Sequence, residues 1–364
     1  MVRFRRRMPG RVLIFLVGAG VALGSIAAFK AQATSLPTLP PVTPERLVAS
    51  VLRAMAARPP ISGRVTAFVD LGIPPLPDSG PGSELGSAAG LLVQVSGTHH
   101  LRVWRSTDGF RLAELLPRSE RGLFVSRAGS WAWNFQTFTA YRLPTPAAHR
   151  PDQNPAEKLT DPTALARQAL SAIGPTTAVS VGQTARVAGR AAYVLDLDPR
   201  SPATLVRRVE VDIDAERHLP LGVAVYARGR TAPSLRAEFD SVSFAPIDPS
   251  VYRFTPPPGA RVIDVRRRLH AGRYAGGSTR RERRAELLQQ DLRVFGTGWS
   301  SVVAVRIPGD VRMLDRAAGL NLGTFLPLSG PLLSIRLVDR GDHAWLVYGL
   351  VPQSALAVLE PRLP

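Results

Sequence analysis

Five carboxylates stand close together in the chain, at Asp196, Asp198, Glu210, Asp212 and Asp214, and a patch of that kind can do two sorts of chemistry. Hard oxygen donors in a ring hold calcium, and two carboxyl groups facing each other across a sugar hydrolyse glycosides. Their spacing argues for something plainer. They alternate with Val, Leu or Ile, so a period of two residues puts them on the solvated side of two strands. The six histidines are scattered at 99, 100, 149, 218, 270 and 343. His99 and His100 point to opposite faces of any strand that holds them, which disfavours a shared metal. No H-E-x-x-H, G-x-S-x-G or phosphate loop occurs. With no Cys, thiolate zinc sites, disulfides and thiol nucleophiles are excluded. The sequence predicts no catalytic residue, no cofactor and no metal, and an exported hydrolase ranks last among three functional readings.

Apolar side chains offer the other candidate site. Trp131, Trp133 and Phe135 share one parity, as do Val209, Val211 and Ile213, and these six are the candidate lining of an apolar cavity. Ordinary core packing explains the same stripes, and the sequence leaves both readings open. A third candidate is basic: Arg266, Arg267, Arg268, Arg280 and Arg281, which could meet anionic headgroups or an acidic partner. A solvated connector is the competing reading.

Charge location decides what the net +18 of this 364-residue chain means. Arg3, Arg5, Arg6, Arg7 and Arg11 precede the first apolar run, and nine Arg fall between Arg261 and Arg284. Two short segments thus hold most of the excess, and the remainder is mildly basic. A folded nucleic-acid reader spreads its basic residues over one face, so no nucleic-acid partner is expected. Only Lys30 and Lys158 are lysines, a bias that fits a GC-rich bacterial genome better than selection for guanidinium chemistry.

The elements that must position these residues begin with a membrane segment. Val12–Phe29 carries no charge, and its eighteen residues would span about 27 Å at the helical rise. The Arg cluster before it stays cytoplasmic under the positive-inside rule, which places the bulk of the chain outside the membrane. Ala31-Gln32-Ala33 is also a cleavage pattern, so a retained anchor and a removed signal peptide both stand. A Pro-rich spacer follows, then a helix capped by Thr43 with Leu47, Val51 and Met55 on one face. Period-two strands run from Ser62 onward, including one continuous strand over Ser130–Tyr141, and a second helix opens at Asp161-Pro162 and stops at Gly174. About ten strands and two helices are expected before residue 262.

Tyr193–Tyr226 (YVLDLDPRSPATLVRRVEVDIDAERHLPLGVAVY) followed by Ile247–Val262 (IDPSVYRFTPPPGARV) resembles the C-terminal half of the LolA/RseB superfamily. The order helix, SGRVTAF, long loop, HLRVWRSTDGFRLAEL, SWAW, helix, AGRAAYVL is similar to the exported actinobacterial members. Leu292–Ile307 and Ser329–Leu356 resemble the smaller C-terminal domain of RseB/MucB-type proteins. The resemblance implies an α+β fold: a LolA-like open (half) antiparallel β-barrel capped by helices, a smaller α+β C-terminal domain, and the N-terminal transmembrane or signal helix. Expected divisions are 1–34 (Arg cluster and anchor), 35–43 (spacer), 44–262 (β domain), 263–288 (basic linker) and 289–364 (C-terminal domain). It further implies a non-enzymatic extracytoplasmic protein that binds lipid or lipoprotein acyl chains and regulates a membrane partner such as an anti-sigma factor. A LolA-like carrier is the alternative.

Overall fold

The computed structural model describes residues 36–72, 96–143, 170, 173–265, 292–308 and 326–364. The apolar run 12–29, most of the expected helix 161–174, and the candidates Arg266, Arg267, Arg268, Arg280 and Arg281 lie outside the described residues. No helix among the described residues is long and apolar enough to cross a membrane.

The first helix, α1 (Pro44–Ala56), forms as its sequence dictates. The Thr43 hydroxyl accepts from the Arg46 amide at 3.3 Å, and Pro44 occupies the first turn, where its missing N–H costs nothing. Leu47, Val51 and Met55 recur every four residues and are buried, each worth about 1.5–3 kcal/mol when removed from water. The helix stops before Pro59-Pro60, with Arg58 at φ 47°. The spacer ahead of it is tied down. Pro37 and Pro40 carbonyls accept from the Thr184 hydroxyl at 2.6 Å and the Tyr193 hydroxyl at 3.0 Å, and Leu39 and Val42 pack on the core.

Thirteen strands make one large sheet. In chain order they are β1 (Ile61–Asp70), β2 (Ser96–Arg105), β3 (Gly109–Leu116), β4 (Ser119–Ser126), β5 (Gly129–Asn134), β6 (Thr139–Leu143), β7 (Thr177–Val181), β8 (Ala185–Val187), β9 (Arg190–Pro199), β10 (Val206–Asp214), β11 (Pro220–Ala227), β12 (Leu235–Ser243) and β13 (Arg261–Asp264). Spatial order is β13-β6-β5-β4-β3-β2-β1-β12-β11-β10-β9-β7, with β8 also on β9, and the two ends do not join. The sheet is therefore open.

Three details differ from the sequence expectation. The strand read over Ser130–Tyr141 is two, because the Asn134 side chain accepts from the Gln136 and Thr137 amides at 2.9 and 3.3 Å and turns the chain, with Phe138 at φ 46°. The sheet is not wholly antiparallel, since β13 pairs with β6 in parallel. That strand also carries the sheet to Asp264, beyond the expected end at 262.

A second sheet of five strands follows: β14 (Leu292–Phe295), β15 (Val302–Pro308), β16 (Leu328–Ser329), β17 (Ser334–Asp339) and β18 (His343–Gly349), ordered β14-β15-β18-β17-β16. The short helix α2 (Gln353–Ala357) helps to cover Trp345, Val302 and Val347. This sheet is fastened to the large one. The Leu350 carbonyl accepts from the Leu205 amide at 2.7 Å and the Thr204 hydroxyl at 2.8 Å, and the Trp299 indole donates to the Thr177 hydroxyl at 2.8 Å. Gly330 is required there, since a Cβ would lie 1.7 Å from the Leu71 carbonyl oxygen. Trp299, Leu332 and Leu350 belong to the same buried cluster as the large sheet.

Candidate functional site

Strand register assigns each candidate that lies on a described strand to a face. Trp131 lies opposite Phe124, Phe124 opposite Arg111, Arg111 opposite Trp104, and Trp104 opposite Ser62. Further along β1, Thr66 lies opposite Glu238, Glu238 opposite Gly222, and Gly222 opposite Asp212. Asp212 and the two tryptophans therefore share a face, and Val209, Val211 and Ile213 hold the other. The structure does not bring the six expected lining residues together.

Val209, Val211 and Ile213 sit on the α1 side of the sheet, at 2%, 0% and 0% exposure. They pack in one cluster with Leu47, Val51 and Met55 of α1, and with Leu195, Leu197 and Val223. At this end the sheet face is filled by the chain's own side chains. The same face continues across the far strands through Leu101, Val103, Phe110, Leu123, Val125 and Ala132, with Leu112 and Leu143 half-buried. It also holds the buried Arg105 and a polar cluster in which Glu114 meets His99 at 2.9 Å and Arg121 at 3.9 Å.

On the opposite face the aromatic residues find one another. Phe254, from the closing segment that resembles the superfamily, stacks on Phe124 at 4.7 Å and tilts against Trp133 and Trp131 at 5.7 and 5.9 Å. Trp133 meets Phe138 edge-on at 5.3 Å. The Arg111 guanidinium lies 4.8 Å from both the Trp104 and Phe124 rings, and Arg142 covers Trp131 at 5.8 Å. Phe135 is in the turn after β5 and 51% exposed, outside any lining. Sequence reading missed Phe124 and Phe254 as partners of the tryptophans. Their aromatic type was visible, but only strand register brings positions 124, 131 and 254 together.

The carboxylates stand on this same face, yet they are not uniformly solvated. Asp196 is only 8% exposed. Burial raises its carboxyl above the ordinary range, against the pull of Arg208. Asp212 is pushed up to about 6, by burial first and then by Glu238, with Arg236 opposing. Its carboxylate lies over Gly222, where a Cβ would collide with it. The Tyr226 hydroxyl, raised to about 12 by burial and its bond to Glu210, donates to that carboxylate at 2.8 Å. Arg208 forks onto Asp198 at 2.9 and 3.3 Å. Asp214 is apart from the rest: fully buried, it accepts from Arg190 and from the Glu216 and Arg217 amides. Burial alone would raise it; those bonds hold it below the usual carboxylate range. Among the described residues no group of three or more His, Cys, Asp or Glu could hold a metal ion.

No protein-family model matches the chain, and no curated protein matches it. Among solved structures, those similar to the chain include MucB and a LolA superfamily protein. The crystal structure of MucB is similar at 15% identity over 86% of this chain and 94% of that chain, with a TM-score of 0.43. The complex structure of Pseudomonas aeruginosa MucA/MucB is similar at 14% identity over 86% and 96%, with a TM-score of 0.43. A LolA superfamily protein from Nitrosomonas europaea reaches 8% identity over 59% and 99%, at 0.23. Likenesses with TM-scores below 0.5 decide neither fold nor function, so the chain's own residues must carry both.

Proposed function

We propose that the chain is a non-enzymatic extracytoplasmic envelope protein. It binds lipid or lipoprotein acyl chains against the apolar face of its large sheet and regulates a membrane partner, such as an anti-sigma factor, through the five-stranded sheet. The observation that carries this reading is a largely apolar face running over an open sheet, part of it packed with α1 and its neighbours and part extending over β2 to β5 around the His99–Glu114 pair. On this reading the acyl chains bind over β2 to β5, where Leu112 and Leu143 are half-buried beside the buried Leu101, Val103 and Leu123. Acyl chains would bind there by burial alone, at about 25 cal/mol per Å2. The sequence resemblance supports the same role, with the large sheet through Asp264 and the five-stranded sheet from Leu292 as its two working units.

Native mass spectrometry of the full chain released from detergent tests the ligand. Retained phospholipid or fatty acid is the expected result, and Leu112→Trp, which adds bulk at a half-buried position, should abolish retention without lowering the melting temperature. A chain that carries no lipid sinks the reading. The regulatory half has its own test. A photo-crosslinker at Val358, 66% exposed on the second unit, should capture a single-pass membrane protein in cells. Capture of lipid alone would favour the carrier instead.

A further inference from the structure

The face opposite α1 holds an open cleft of about 440 Å3, lined by Arg64, Arg102, Trp104 and the hydroxyl residues Ser62, Ser241 and Ser243. It forms where the register of β1 against β12 slips between Arg64 and Val65. Gly63 makes that slip possible: a Cβ there would lie 2.0 Å from the Ser241 carbonyl oxygen. The Arg64 amide donates to the Ser241 hydroxyl at 3.4 Å, which ties the bulge to the cleft floor.

Arg64 and Arg102 stand directly opposite each other on β1 and β2. Like charges in that relation repel, with Cβ atoms only about 5 Å apart. On the same face Arg208 is paired with Asp198 and Asp196, Arg236 with Glu238 and Arg111 with Glu120, while Arg142 lies over the Trp131 ring. Arg64 and Arg102 have no carboxylate partner among the described residues. The nearest acid along β12, Asp240, accepts from the Thr66 hydroxyl at 2.8 Å instead. Two forked cations, three serines and an indole lining one cleft offer what a tetrahedral oxyanion with an organic tail requires. The Trp104 ring also carries the Arg111 guanidinium 4.8 Å from its centre, but Glu120 meets that charge at 3.5 Å, which leaves Arg64 and Arg102 as the cations of the cleft.

We propose that this cleft binds a phosphate-class oxyanion, carried either on a lipid headgroup or on a soluble phosphoryl ester. The site lies on the other side of the sheet from the acyl-chain hollow and stands or falls independently of it.

Thermal unfolding of the full chain in phosphatidylcholine nanodiscs provides the test, with sodium phosphate compared against sodium chloride at matched ionic strength, because screening alone relaxes a like-charge pair. Phosphate should raise the melting temperature of the wild type and of Arg118→Gln, an exposed control in the β3–β4 turn. It should not raise that of the double variant R64Q/R102Q, whose phosphate affinity should fall at least about tenfold. Without phosphate the double variant should be as stable as the wild type or more so. Replacing phosphatidylcholine by phosphatidylglycerol then separates the sources. A gain in wild type that the double variant lacks assigns the site to headgroups, and a gain from phosphate alone assigns it to soluble esters. The proposal is overturned if chloride matches phosphate, or if the double variant responds as the wild type does.

Discussion

The β9–β12 half and the β1–β6 half of the α1-distal face obey the same period-two rule and end up chemically opposite. The first presents carboxylates that are largely paired within the sheet by Arg208, Arg236 and Tyr226. The second presents arginines laid on aromatic rings, with Phe254 brought over them from the closing segment. Alternation decides only that these side chains leave the core. Neighbouring strands decide whether they cancel, stack or stay unpaired: the β9–β12 charges are largely matched within the sheet, whereas Arg64 and Arg102 face each other with no carboxylate between them.

Breaking the contrast between faces should have the largest effect. Val211 and Asp212 are adjacent, one fully buried against α1 and the other on the distal face. Val211→Asp would bury an unpaired charge, and a loss above about 4 kcal/mol, enough to unfold the chain, is expected by urea denaturation. A stably folded Val211→Asp would show that the face assignment is wrong.

Phe254→Ala removes the ring that stacks on Phe124 and tilts on both tryptophans. A loss of about 2–3 kcal/mol is expected, together with a red shift of tryptophan emission. If the cost is negligible, the aromatic half is not held by this segment, and the comparison between halves loses its basis.

The smallest effect sharpens the acidic half. The folded carboxyl of Asp212 titrates at about 6, above its unfolded value of 3.8. The folded state binds this proton more tightly, so its contribution is fully present below about pH 4 and is lost as the pH rises through 6. Asp212→Asn should therefore be more stable than the wild type at pH 8, by on the order of 2 kcal/mol, and the gap should close toward pH 4. Denaturation at the two pH values measures it; a gap that does not change with pH refutes the assignment.

Much of the sheet was legible because alternation is a local property. The strands containing Tyr193–Asp198, Val209–Asp214 and Leu221–Tyr226 form β9, β10 and β11, and Val209, Val211 and Ile213, read from sequence as candidate cavity lining, are buried in the core. Trp131, Trp133 and Phe135 were harder. Their stripe gives parity within one strand, but whether it faces the same way as the stripe of a strand seven places across the sheet depends on every pairing between, including the bulge at Arg64. The turn at Asn134 was hidden because Phe135 kept the parity of the tryptophans before it. The cleft was illegible for the same reason: Ser62, Arg102 and Ser241 are far apart in the chain and meet only through register.

By itself the sequence determined which positions turn inward, where α1 begins and ends, and that no cysteine or nucleophile motif supplies covalent chemistry, because these follow from residue type and spacing along one strand or helix. The tertiary structure decided which inward stripes share a core, which outward charges meet a partner, and that two arginines face each other over serines, because register across thirteen strands couples residues that no local period relates.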